Sequence, residues 1–103
     1  MFTVRMYLRR KQGRNIFRLT NPNITAMSVV HVAVTEATDL QTGTFTPVYS
    51  RFIGDANITV HNIAPADGHV DFVVTVDFPS PLNVVMDISI FDPVPIANTV
   101  IGT

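Results

Sequence analysis

The chain has 103 residues, no cysteine, and only 15% charged residues against 47% apolar ones. That length is one domain with enough chain to bury a core unaided, and the missing cysteines exclude disulfides and thiolate metal sites. The formal charge of −1 hides a division: Arg5, Arg9, Arg10, Lys11, Arg14 and Arg18 give residues 1–18 a formal +6, while Glu36, Asp39, Asp55, Asp67, Asp71, Asp77, Asp87 and Asp92 against Arg51 alone leave −7 on the rest.

In chain order, the dominant period is two. Phe2, Val4, Met6 and Leu8 alternate with Thr3, Arg5, Tyr7 and Arg9, the pattern of a half-buried strand. Lys11–Arg14 reads as a turn around Gly13, followed by a second strand over 15–20 that ends at Asn21-Pro22-Asn23. A third run over 25–35 carries Val30, Val32 and Val34 in alternation, and 39–43 reads as a loop. The fourth strand is expected over 44–53, with Pro47 marking an edge or a bulge. Strands over 56–63, 69–78 and 82–91 follow, separated by the 64–68 turn and by Pro79-Ser80-Pro81.

Seven short strands and no capped helical period predict an all-β fold, an antiparallel β-sandwich of about seven strands, immunoglobulin-like or small jelly-roll-like. The domain is expected over 1–92, with 93–103 as a Pro-interrupted apolar tail holding Val94, Ile96, Val100 and Ile101. Ile63-Ala64-Pro65 followed by Val70, Phe72 and Val74 resembles the corresponding turn and strand of fibronectin type III and other immunoglobulin-like modules. The chain departs from them in having no tryptophan, and in having Val70 where a corner tyrosine belongs. The resemblance covers about a fifth of the chain and implies architecture alone.

Two hairpins can be registered by hand. A two-residue Gln12-Gly13 turn sets Leu8 opposite Phe17 and Met6 opposite Leu19. It gathers Arg5, Tyr7, Arg9, Lys11, Arg14, Ile16 and Arg18 on one outward face, with Arg10 on the other side. A five-residue 64–68 loop sets Ile63 opposite His69 and His61 opposite Asp71.

The basic hairpin is the leading candidate for contact with a partner. Its cations repel one another, so a polyanion such as nucleic acid or an acidic protein surface would relieve them, and Tyr7 could stack on a base. The acidic complement is expected at Asp71, Asp77 and Asp87 of a neighbouring copy, a joining of unlike surfaces. A solvated edge ribbon that discourages aggregation needs no partner at all. His61, His69 and Asp71 form a weak candidate metal site on one outer face. Asp39, Asp55, Asp67 and Asp92 read as turn residues that bond their own backbone.

No Gly-x-Ser-x-Gly and no Gly-rich phosphate loop is present. No catalytic residue, cofactor or small-molecule substrate is therefore expected. No signal peptide or membrane-spanning run is visible, so a soluble or particle-associated protein is expected, of unassigned compartment. The composition suggests a non-catalytic structural module, a self-assembling subunit of a virion- or phage-like particle that contacts further copies or other protein subunits. Nucleic-acid binding through the same hairpin is the alternative, and a lectin-like module a lesser one.

Overall fold

The computed structural model describes residues 1–42, 47–95 and 102, and these are all-β. Among the described residues nine strands run in chain order: β1 (Phe2–Lys11), β2 (Gly13–Thr20), β3 (Val29–Ala37), β4 (Gln41–Thr42), β5 (Pro47–Val48), β6 (Arg51–Phe52), β7 (Asn57–Ala66), β8 (His69–Asp77) and β9 (Leu82–Phe91). They form antiparallel sheets: a four-stranded sheet β1-β9-β3-β6, a three-stranded sheet β2-β8-β7, and the small ribbon β4-β5. The fourth strand expected over 44–53 is divided into β5 and β6; residues 44–46 lie outside the described residues. Of the 93–103 tail, Val94 donates its N–H to the Met27 carbonyl, so the tail starts against the body. Ile96, Val100 and Ile101 lie outside the described residues.

The alternation sorts side chains cleanly. Val70, Phe72, Val74 and Val76 of β8 and Val84, Met86, Ile88 and Ile90 of β9 are all buried, and with Ile24 and Val30 they form one apolar cluster. Phe2, Met6 and Leu8 of β1 pack on it from the first sheet, and Phe17 and Leu19 of β2 from the second. The two sheets thus share one core, with Phe17 and Phe72 rings 5.7 Å apart. Full burial of each large side chain contributes roughly 1.5–3 kcal/mol.

The first hairpin expected from the sequence is not formed. Leu8 faces Val84 of β9 and Phe17 faces Phe72 of β8, so β1 and β2 belong to different sheets and the chain crosses between them at Gln12. The physical reason lies in the charges. A β1–β2 ribbon would set like charges beside one another, which destabilises a sheet. The observed register sets Arg5 opposite Asp87 and Arg18 opposite Asp71. Both registers bury the same apolar set, so hydrophobic alternation alone does not choose between them.

The second hairpin exists with a different register. Its turn is the two-residue Asp67-Gly68, with Gly68 at φ 87°, and Ala66 pairs with His69. That tight turn sets Asp71 opposite Ala64, and a bulge at Asn62, φ 24°, between His61 and Ile63 brings His61 opposite Val73. The bulge answers a change of phase in the sequence. Ile58 and Val60 are even-numbered and Ile63 is odd, yet all three pack on the core.

Candidate functional site

The outer face of the four-stranded sheet is organised around Asp87. Arg5 donates to both of its oxygens, from Nε at 2.6 Å and Nη2 at 3.1 Å, and Arg51 Nη1 donates at 2.9 Å. The bond from Arg5 holds the Asp87 carboxyl below its ordinary pKa; partial burial opposes this and Arg51 adds to it. The same bond raises Arg5 above its ordinary value.

Tyr7 lies one step along the same face. Its hydroxyl donates to the Thr38 carbonyl at 2.7 Å and accepts from the Leu40 N–H at 2.8 Å. The Tyr49 ring is 5.3 Å away, and the Arg9 guanidinium lies 5.5 Å from the Tyr7 ring centroid while donating to the Leu40 carbonyl. Thr38 and Ser50 close the excursion with a bond from each backbone N–H to a Ser50 or Thr38 oxygen, both 2.9 Å. Val85, opposite Tyr7 in the ladder, is only 1% exposed although it lies on the outer face. Tyr7 is therefore a clamp on the 38–50 excursion, and the free stacking platform expected from the sequence is not there.

The outer face of the three-stranded sheet carries a second ion pair. Arg18 binds Asp71 through Nε at 2.7 Å and Nη2 at 2.9 Å, and His69 Nε2 is 3.9 Å from the same carboxylate. The bond from Arg18 lowers the Asp71 pKa, against partial desolvation, and raises that of Arg18. His61 turns away to Thr75, with Nε2 3.1 Å from Oγ1. The proposed His61, His69 and Asp71 metal site is thereby corrected, since the two-residue Asp67-Gly68 turn sets Asp71 opposite Ala64 and leaves His61 opposite Val73. No cluster of three metal-ligating groups occurs among the described residues. Ile16, also on this face, is 65% exposed.

The expected single basic face is likewise divided. Arg5 and Tyr7 lie on one sheet, Arg14, Ile16 and Arg18 on the other. The acidic face divides with it, because Asp71 and Asp77 belong to β8 and Asp87 to β9. Asp71 and Asp87 point outward as expected, but each is occupied by an arginine of its own chain.

What remains is a charged end. Among the described residues no ion pair reaches Arg9, Arg10, Lys11 or Arg14, which surround the β1–β2 crossing. β1 bulges there, between Leu8 and Lys11, and Arg10 takes φ 58° while its N–H bonds Asn83 Oδ1 at 3.1 Å. Lys11 Nζ lies 5.8 Å from the Phe17 ring centroid. At the same end, Glu36 is level with Leu8 through Val84, and Asp77 pairs with Asn57 just past Asp55. Glu36, Asp55 and Asp77 also make no ion pair among the described residues. The cations sit on the edge strands β1 and β2; Glu36 and Asp55 sit on the opposite side, by β3, β6 and β7.

Arg51, Asn83 and Glu36 were not singled out by sequence reasoning, and Asp55 was read only as a turn residue. One signal was available: Arg5 and Asp87, and Arg18 and Asp71, occupy the solvent phase of strands that each needed a partner. On the outer face of the four-stranded sheet, towards the β3 edge, an open groove of about 600 Å³ is lined by His31, Val32, Ala33, Asp87 and Ser89, with Ile63 of β7 across it. No family model matches the chain, and neither the curated proteins nor the solved structures searched give a match.

Proposed function

We propose that this chain is a β-sandwich, immunoglobulin-like or small jelly-roll-like, acting as a non-catalytic interaction module, a subunit that associates with further copies in a virion- or phage-like particle. The sandwich reading is supported by the core shared between two sheets and by four chain crossings between them, β1 to β2, β2 to β3, β6 to β7 and β8 to β9.

The observation that carries the association reading is the sorting of unpaired charge at one end. Arg9, Arg10, Lys11 and Arg14 lie on one side and Glu36 and Asp55 on the other, with Asp77 on β8 between them and Asp39, held by Asn83, beside Arg10. A surface with opposite signs on opposite sides is complementary to a laterally displaced copy of itself, which is the geometry of a heterologous contact. Sedimentation velocity over a concentration series tests it. Association is expected at about 0.02 M salt and should weaken toward about 0.5 M as screening shortens. A monomer under every condition overturns the reading.

The same four cations also support polyanion binding. Titration of a single-stranded oligonucleotide at several salt concentrations tests that reading, since four phosphate contacts give a log–log slope of about −3. A slope near zero removes it.

A further inference from the structure

We infer that neighbouring copies join edge to edge, β1 of one copy adding in parallel to the open edge of β3 in the next and so continuing the four-stranded sheet. The inference rests on the self-association proposed above and names the surface that carries it.

β3 is paired with β9 from Val29 to Glu36, but on its other side β6 pairs only with Glu36 and Ala37. The edge from Val29 to Thr35 therefore has no strand partner among the described residues. Its sequence, Val-Val-His-Val-Ala-Val-Thr, holds no carboxylate, lysine, arginine or proline. Edges are ordinarily blunted by such residues, so a β-branched, unguarded edge is a template for another strand. The groove beside His31, Val32 and Ala33 gives that strand room.

The outer edge of β1 fits the template by level, direction and face. Across β9, Phe2 is level with Val30 and Tyr7 with Thr35. β1 and β3 both run antiparallel to β9, hence parallel to each other. A copy displaced sideways along the sheet brings Phe2–Tyr7 beside Val30–Thr35. The even-numbered residues of both strands face the core side, so Val4 and Met6 extend the row of Val32 and Val34 without exposing an apolar side chain or burying a charge. Arg5 is held by its own Asp87, which it shares with Arg51. Past Tyr7 the incoming strand reaches the level of Glu36 and Ala37, where β6 already pairs with β3, so Arg9, Arg10 and Lys11 pass over β6 towards the exposed Asp55 just beyond it. Opposite signs at one end fix both the register and the polarity of the pair. Each copy keeps one β1 edge and one β3 edge, so the contact repeats into a ring or a filament.

The absence of cysteine gives a clean test. Thr3 and His31, both exposed, are level with each other through Ser89. Within one copy β9 lies between them, and two strand spacings of about 4.8 Å exceed the span of a disulfide. Between copies they are adjacent. The double variant T3C/H31C, oxidised at low salt, should give a ladder of dimer, trimer and higher species on a non-reducing gel. T3C/H61C, whose second cysteine lies on the other sheet, should not. Circular dichroism confirms that both variants fold.

A T3C/H31C ladder no stronger than that of T3C/H61C overturns the β1–β3 contact. If wild-type protein still associates in sedimentation, self-association survives by another surface. If it is monomeric, both proposals fall.

Discussion

Replacing Tyr7 with phenylalanine isolates the clamp on the 38–50 excursion. The substitution keeps the ring and removes one hydroxyl that donates to the Thr38 carbonyl and accepts from the Leu40 N–H. Each bond contributes a net stabilisation of about 0.5–1.5 kcal/mol. Thr38 is exposed and Leu40 half-buried, so water replaces part of what is lost. A total near the lower half of the range follows, about 1–2 kcal/mol. For a domain of this size that lowers Tm by about 5–10 °C. The Tyr49 contact and the Thr38–Ser50 bonds persist, so the loss is confined to the middle of the excursion. Hydrogen exchange read at the Leu40 amide locates the effect, because that N–H loses its acceptor. Exchange at Leu40 should quicken well beyond any change in the Ser50 amide. Unchanged Leu40 protection together with a Tm within about 1 °C of wild type would refute the clamp.

Asp87 and Asp71 carry depressed pKa values, so the stability they contribute is fully present above the ordinary carboxylate range and is lost as pH falls through their folded-state values. Urea midpoints from pH 7 down to pH 2 should therefore fall more for wild type than for D87N/D71N, and parallel curves would show that the arginine bonds are not coupled to folding. Arg10 sits at φ 58°, a conformation that costs a non-glycine residue about 1 kcal/mol. R10G should raise the urea-derived stability by up to about 0.5 kcal/mol once the freedom glycine adds to the unfolded chain is subtracted. A loss of stability would mean that the Arg10 side chain matters more to the monomer than the backbone strain does.

Strand identity was legible because every long strand alternates, and β9 over 82–91 matches its sequence-predicted bounds. Pairing was much less so. Leu8 and Phe17 face the same core whether β1 and β2 form one ribbon or separate into two sheets, so burial gives no preference. The discriminating information was electrostatic and distant: Arg5 needed Asp87, 82 residues away, and Arg18 needed Asp71, 53 away. A short connection such as Gln12 suggests a hairpin locally, and only the opposed charges reject it. The β7 bulge was encoded locally, as a change of phase between Val60 and Ile63. The Tyr7 clamp had no local signal, because a hydroxyl bound to two backbone groups 31 and 33 residues on leaves no trace in periodicity.

The unequal distribution of charge is consequently two features with different physics. Arg5 and Arg18 act within sheets, where a cross-strand carboxylate neutralises them and fixes register. Arg9, Arg10 and Lys11 act at the bulged end of an edge strand, where unneutralised charge guards against indiscriminate pairing. In the proposed contact the guard is selective, because an approaching edge lacking carboxylates at that level meets uncompensated cations, whereas the β3 side brings Asp55. The same residues that keep β1 from pairing with any exposed strand therefore favour one partner edge by opposing the others, which is how specificity arises between strands whose main-chain bonds are chemically identical.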